Sequence, residues 1–123
     1  MTESILDIET ITIDGIAIIS PRGEIDVYTE PGFKREIYCQ INSGISGLVV
    51  VLDEVEYLDM TGIGILAGGF KRLNEFARKM ALVHANPGRL PALRAASNII
   101  GVIGLYGTVK EAVASIYPLP PAA

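Results

Sequence analysis

From Ile5 to Ile13 the chain reads ILDIETITI, with apolar and polar residues alternating as in a strand that buries one face and wets the other. Asp14-Gly15 supplies a two-residue hairpin turn, and IAIISPRGEI, Ile16 to Ile25, is the returning strand. Phe33, Ile37 and Ile41 then recur at helical spacing. They predict a helix capped by Thr29, with Pro31 in its first turn, and closed by Ser43-Gly44. Leu48 to Leu52, LVVVL, is a continuous β-branched run and predicts a central strand covered on both faces.

Helical spacing returns at Ile63, Leu66, Phe70, Leu73 and Phe76, and KMALVHA follows as a short strand before Asn86-Pro87-Gly88 breaks the chain. RLPALRAAS predicts a shorter helix with Pro91 in its first turn and Asn98 as a left-handed stop. IIGVIGLYG predicts a last buried strand. Thr108 and Glu111 are spaced as a capping box for a final helix, VKEAVASI, and YPLPPAA is a frayed end. The order ββαβαβαβα describes an α/β domain with a mostly parallel sheet. Residues 1–117 form that domain and residues 118–123 a flexible C-terminal tail. No internal repeat or linker interrupts it.

Composition narrows the functional classes. The 123 residues suit one core, and a net charge of −4 offers no positive field for a nucleic-acid backbone or an anionic membrane surface. The single cysteine, Cys39, has no internal partner and falls in the apolar-periodic FKREIYCQI, where a buried reduced thiol is expected. The opening MTESILDIET has no basic flank before an apolar core, and no apolar run approaches the ~20 residues of a membrane span; a cytoplasmic location is expected.

One segment concentrates polar groups and glycines: YLDMTGIGILAGGFKRL, Tyr57 to Leu73. Its GIGILAGG is not a dinucleotide fingerprint, because Ala67 stands three residues after Gly64, and no P-loop lysine follows. Gly62, Gly64, Gly68 and Gly69 instead predict a helix packed close to its neighbours, while Asp59 and Thr61 are residue types that cap helix starts. His84 is the only histidine, no serine sits in a nucleophile elbow, and His84 and Cys39 lack metal-ligand spacing. No catalytic residue, metal or cofactor is assigned, and the chain is not expected to be an enzyme.

VVVLDEVEYLDMTGIGILAGGFKRL resembles the signature segment of the STAS domain, specifically that of the bacterial anti-sigma factor antagonists. GEIDVYTEPGFKREI, ANPGRLPALRAASNI and LYGTVKEAV resemble further family segments in the family's order. The resemblance implies a single STAS domain: a small mixed β-sheet with central parallel strands, covered mainly on one face by about four α-helices. It also implies a function. An antagonist of this kind binds an anti-sigma factor while dephosphorylated and so releases a sigma factor to activate transcription. The anti-sigma factor often doubles as a serine/threonine kinase that inactivates the antagonist; a phosphatase is a further implied partner, and the antagonist is a monomer or weak dimer. The implied partner-binding residues are Asp59, Met60, Thr61, Gly62 and Ile63, with Asp26, Tyr28 and Thr29 from a second loop. The alternative is a stand-alone STAS scaffold or small-ligand-binding domain not controlled by phosphorylation.

The family's phospho-acceptor follows the signature aspartate, and is itself followed by Ser or Thr and then Gly. Asp59, Thr61 and Gly62 match that pattern, but the acceptor position holds Met60, whose thioether cannot take a phosphoryl group. Three readings stay open: an antagonist regulated in another way, Thr61 as a displaced acceptor, or a chain in which the acceptor has been replaced. Phosphate at a helix N-terminus would meet free N–H groups and the positive end of the macrodipole, so its effect is expected at the interface and not on folding. Asp59, Met60 and Thr61 are expected at the surface, Gly62 and Gly64 in the first helical turn, and Ile63, Leu66 and Phe70 in the core.

Overall fold

The computed structural model describes residues 5–117. The first hairpin is as the alternation predicts. Strand β1, Leu6–Ile13, pairs antiparallel with β2, Ile16–Ile25, and the turn places both Asp14 and Gly15 at positive φ, as a tight two-residue hairpin requires. Helix α1, Glu30–Asn42, buries Phe33, Ile37 and Ile41 on one stripe. Cys39 is exposed, contrary to expectation. It lies two residues from Ile37 and two from Ile41, which on a helix turns it to the opposite side from the stripe.

Strand β3, Gly47–Val51, is followed after a short turn by a strand that the sequence did not separate from it, β4, Val55–Leu58. Helix α2, Met60–Glu75, comes next and then β5, Lys79–Val83. Phe70 is half-buried against the core and not inside it, and Phe76 lies one residue past the helix, exposed, with the Arg72 guanidinium 5.1 Å from its ring centroid.

After a 3₁₀ turn at Pro87–Arg89 the chain departs most from the sequence reading. Helix α3, Pro91–Ala95, is succeeded at once by helix α4, Ser97–Ile103, so Asn98 does not stop a helix but lies inside the next one. The predicted strand IIGVIGLYG is therefore largely helix, and only Leu105–Tyr106 pairs as β6. Gly104, at φ +105, makes the break between them. Helix α5, Val109–Ile116, has the predicted cap: Glu111 N donates to Thr108 Oγ1 at 3.1 Å and Thr108 Oγ1 to Glu111 Oε1 at 3.0 Å. The expected tail, 118–123, lies outside the described residues.

The sheet runs β1-β2-β3-β5-β6, with β4 beside β2, and every pairing except β1–β2 is parallel. Alternation along β3 explains its β-branched run. Leu48 and Val50 join the larger core under α1 to α4, with Ile19, Phe33, Ile63, Leu66 and Leu82, whereas Val49 joins Ile16, Ile18, Ala81 and Val83 under α5. Four helices thus contribute to the core on one face and a single helix covers the other, five in all where about four were expected.

Candidate functional site

β2 is long enough to hold two neighbours on one edge. Its first half, Ile16–Ile19, pairs with β3; a register shift follows Gly23, and Ile25 then stands opposite Leu58 of β4. Because both strands run the same way, the residues that follow them, Asp26 and Asp59, begin two loops side by side at the carboxyl ends of the strands. Gly23 makes this crossing possible. At φ +121 its Cα lies where an added Cβ would be 2.2 Å from the Ile5 carbonyl oxygen.

In the first loop the Asp26 Oδ1 accepts from the backbone N–H of Tyr28 at 2.9 Å and of Thr29 at 3.2 Å. The Thr29 hydroxyl accepts from Asp26 N at 3.0 Å and donates to the Glu24 carbonyl at 2.6 Å. Thr29 does occupy the N-cap position of α1, but its side chain braces the loop and does not cap the helix as predicted. Asp26 makes the turn. The braced loop holds Val27, 65% exposed, and Tyr28, 82% exposed, out in solvent.

In the second loop Asp59 is extended, with φ −104 and ψ −179, and its Oδ1 accepts from Gly62 N at 2.9 Å while its carbonyl accepts from Ile63 N at 3.1 Å. It is therefore the N-cap of α2, which leaves Met60 and Thr61 as the first two helical residues. Met60 is 55% exposed and Thr61 is exposed, with no hydrogen bond from its hydroxyl to any described residue. Ile63 is buried, and Gly62 with it.

The glycines divide by cause. A Cβ on Gly62 would be 2.5 Å from Leu58 Cδ1 and 3.0 Å from Ile25 Cγ2, so the absence of a side chain there lets α2 begin close against these two buried residues of β4 and β2. A Cβ on Gly69 would be 3.1 Å from Ile37 Cγ2, and one on Gly68 2.7 Å from Tyr38 Oη, so both permit the close α1–α2 approach. Gly64 is different: it is exposed, and an added Cβ would have nothing within 4 Å. Close packing does not explain it.

The arrangement is a surface of exposed side chains on a hydrogen-bonded frame. His84 is 5% exposed at the end of β5, its Nδ1 accepting from Asn86 N at 2.9 Å, 3.9 Å from Asp53 Oδ1. That is a structural setting, away from both loops in sequence. Among the described residues no group of three or more His, Cys, Asp or Glu side chains could hold a metal ion, and no helix is long and apolar enough to cross a membrane.

The model of the STAS domain matches residues 7–112, which include both loops and all of the sheet but Leu6. The chain belongs to the STAS domain family. This STAS chain is 33% identical over 78 residues to an anti-sigma-B factor antagonist of Staphylococcus aureus, covering 63% of the chain and 72% of that protein. It is 39% identical over 70 residues to one of Staphylococcus epidermidis, covering 57% and 65%. Among solved structures, an anti-sigma factor antagonist from Mycobacterium paratuberculosis superposes with a TM-score of 0.77 at 26% identity, covering 91% of this chain and 94% of that one. The fold expected from the resemblance, a mixed sheet with central parallel strands and helices mainly on one face, is the fold of this STAS domain. Of the residues that the resemblance implies for partner binding, Gly62 and Ile63 are buried at the start of α2, whereas Asp26, Tyr28, Thr29, Asp59, Met60 and Thr61 lie in the two loops, which the β2–β4 pairing brings side by side.

Proposed function

We propose that this STAS domain is an anti-sigma factor antagonist, binding a kinase-type anti-sigma factor through the Asp26–Thr29 loop and the start of α2 and so releasing a sigma factor. The observation that carries the reading is the pair of loops held side by side at the ends of β2 and β4, which presents Val27, Tyr28 and Met60 together. Exposed apolar and aromatic side chains on a rigid, hydrogen-bonded frame are what a protein interface uses as anchors, with polar groups around them. The identity to two anti-sigma-B factor antagonists supports the same reading.

Asp59, Gly62 and Ile63 build the frame; Tyr28, Met60 and Thr61 contact the partner; Asp26 and Thr29 hold Tyr28 in place. Met60 is flexible and neutral, fills an apolar site on a partner readily, and cannot gain charge. The chain is therefore held in the binding-competent form. Thr61 offers the nearest hydroxyl, but it is one residue further along α2 and points elsewhere around the helix axis, so a kinase aligned for in-line transfer at the preceding position uses it poorly. A phosphatase acts in this scheme only on a form that carries an acceptor.

The test is displacement. A preformed complex of a sigma factor with its anti-sigma factor from the same organism is titrated with the chain and with Tyr28→Ala and Met60→Lys variants. The parent chain is expected to free the sigma factor, and each variant to need at least about tenfold more protein, since interface anchors contribute ~2 kcal/mol or more. No displacement by the parent overturns the reading for that pair.

A further inference from the structure

His84 follows β5 directly, and its side chain, 4% exposed, lies on the wall of a polar cavity of about 340 Å³ between the β3–β4 turn and the 3₁₀ turn. Asp53 and Glu54 of the first turn, Glu56 of β4 and Arg89 of the second share that cavity, so three carboxylates surround the ring against one guanidinium. On the β6 side the Tyr106 carbonyl accepts from His84 N at 3.0 Å. The ring itself is held by its own chain. Its Nδ1 accepts from Asn86 N at 2.9 Å, so the neutral ring must carry its single hydrogen on Nε2. A second proton has only Nδ1 to go to, the atom that holds Asn86. The proton and the Asn86 N–H therefore compete for one lone pair. Asp53 Oδ1 stands 3.9 Å from the same atom, and Ala85 N donates to that oxygen at 2.7 Å.

We infer that His84 is a proton-operated latch on the turn that follows β5: the neutral ring holds the Asn86 N–H, and the protonated ring releases it and pairs with Asp53. The inference does not depend on the partner proposed above. Among side-chain types, histidine is the one that ordinarily changes charge between about pH 5 and 8. The two sides of the latch are not equally fixed. Leu52 N donates to the Val83 carbonyl at 2.8 Å and Gly23 N to the Glu54 carbonyl at 3.1 Å, so the turn that carries Asp53 is tied to β5 and β2 on both flanks. The 3₁₀ turn is held less firmly. Asn86 opens it, with its carbonyl accepting from Arg89 N at 3.0 Å, and no side chain caps it. Protonation thus removes one of the few bonds of the looser partner and offers the ring a counter-charge that already stands in place.

Nitrogen-15 spectra of the ring and backbone hydrogen exchange, followed on the isotope-labelled chain from about pH 8 to 5, test the latch. At the alkaline end the ring is expected to carry hydrogen on Nε2 alone, with the Asn86 amide protected. As the ring takes its second proton, the protection factors of Asn86 and Arg89 should fall together, about 2- to 10-fold for one hydrogen bond lost, while that of Leu52 stays constant. Asp53→Asn keeps an oxygen for Ala85 N but no charge, and its ring should take the second proton at a lower pH than the parent's. His84→Asn sets an amide oxygen near the place of Nδ1 that takes up no proton in this range, and its Asn86 protection factor should not respond to pH. Hydrogen on Nδ1 of the neutral ring, a ring that stays neutral down to about pH 5, or constant protection of Asn86 through the ring's titration would overturn the latch, as would a pH-dependent Asn86 amide in His84→Asn. An unaltered ring titration in Asp53→Asn would overturn the pairing with Asp53.

Discussion

Ile25 and Leu58 stand opposite each other on two adjacent parallel strands, and each is followed at once by an aspartate that organises a loop. Asp26 gathers the N–H groups of Tyr28 and Thr29, and Asp59 gathers that of Gly62. The two carboxylates therefore do the same work on neighbouring strands. What they leave outside, Tyr28 and Met60, is the surface that we assign to the partner.

Asp59→Ala removes the N-cap of α2 and should lower stability by about 1 kcal/mol, within a usual range of ~0.5–2 kcal/mol, whereas Asp59→Asn should keep most of it. Urea unfolding of the three chains measures this directly. Equal midpoints for Asp59→Ala and the parent would show that the Gly62 N–H finds another acceptor at no loss.

Gly62→Ala brings a methyl to 2.5 Å from Leu58 Cδ1 and 3.0 Å from Ile25 Cγ2, two buried side chains that must repack to admit it. The overpacking should cost about 1–3 kcal/mol despite the better helix propensity of alanine. A stabilised Gly62→Ala in the same unfolding series would contradict the close approach described here.

Gly64→Ala has the opposite sign. Its methyl meets nothing within 4 Å, so alanine should raise stability by roughly 0.5–1 kcal/mol through the backbone entropy of the unfolded chain. Binding of an anti-sigma factor should nevertheless weaken, because the methyl stands on the exposed start of α2 that we assign to the partner. A variant that gains stability and keeps full affinity would place the partner elsewhere.

Thr29→Val keeps the shape of the side chain and removes the hydrogen bonds of its hydroxyl, with Asp26 N, with the Glu24 carbonyl and, at 3.4 Å, with Asp26 Oδ1. We expect a loss of about 1–2 kcal/mol, since the site is only partly buried, and faster hydrogen exchange at the Asp26 amide. Unchanged exchange there would mean that the Asp26 carboxylate alone fixes the loop.

The elements that the sequence made legible are those whose side-chain period and termini agree. β1 alternates and ends in Asp14-Gly15, α1 repeats Phe33, Ile37 and Ile41, and α5 carries its own capping box. β4 was hidden because Leu52 is buried in the turn before it, so the apolar run continues across a break in pairing. The α4 segment misled through composition. Ile99, Ile100, Val102 and Ile103 are β-branched and favour strands, but only Ile100 and Ile103, three apart, are buried, which is the helical period. Likewise Cys39 falls within an apolar segment but off its stripe. The candidate junction was readable from the aspartate and glycines, whereas its place beside the Asp26 loop was not, because the β2–β4 pairing joins strands far apart in the sequence.

The central claim is that the chain binds an anti-sigma factor at the start of α2 and is held in the binding form by Met60. Parent and Met60→Ser chains are incubated with a kinase-type anti-sigma factor from the same organism and ATP, and phosphate incorporation and retained complex are measured together. The account predicts that Met60→Ser takes up phosphate and releases its partner, since a charge of about −1.5 to −2 enters an interface shaped for a neutral side chain, while the parent stays bound and unmodified. Rapid stoichiometric phosphorylation of the parent at Thr61, or no binding by either chain, would contradict it.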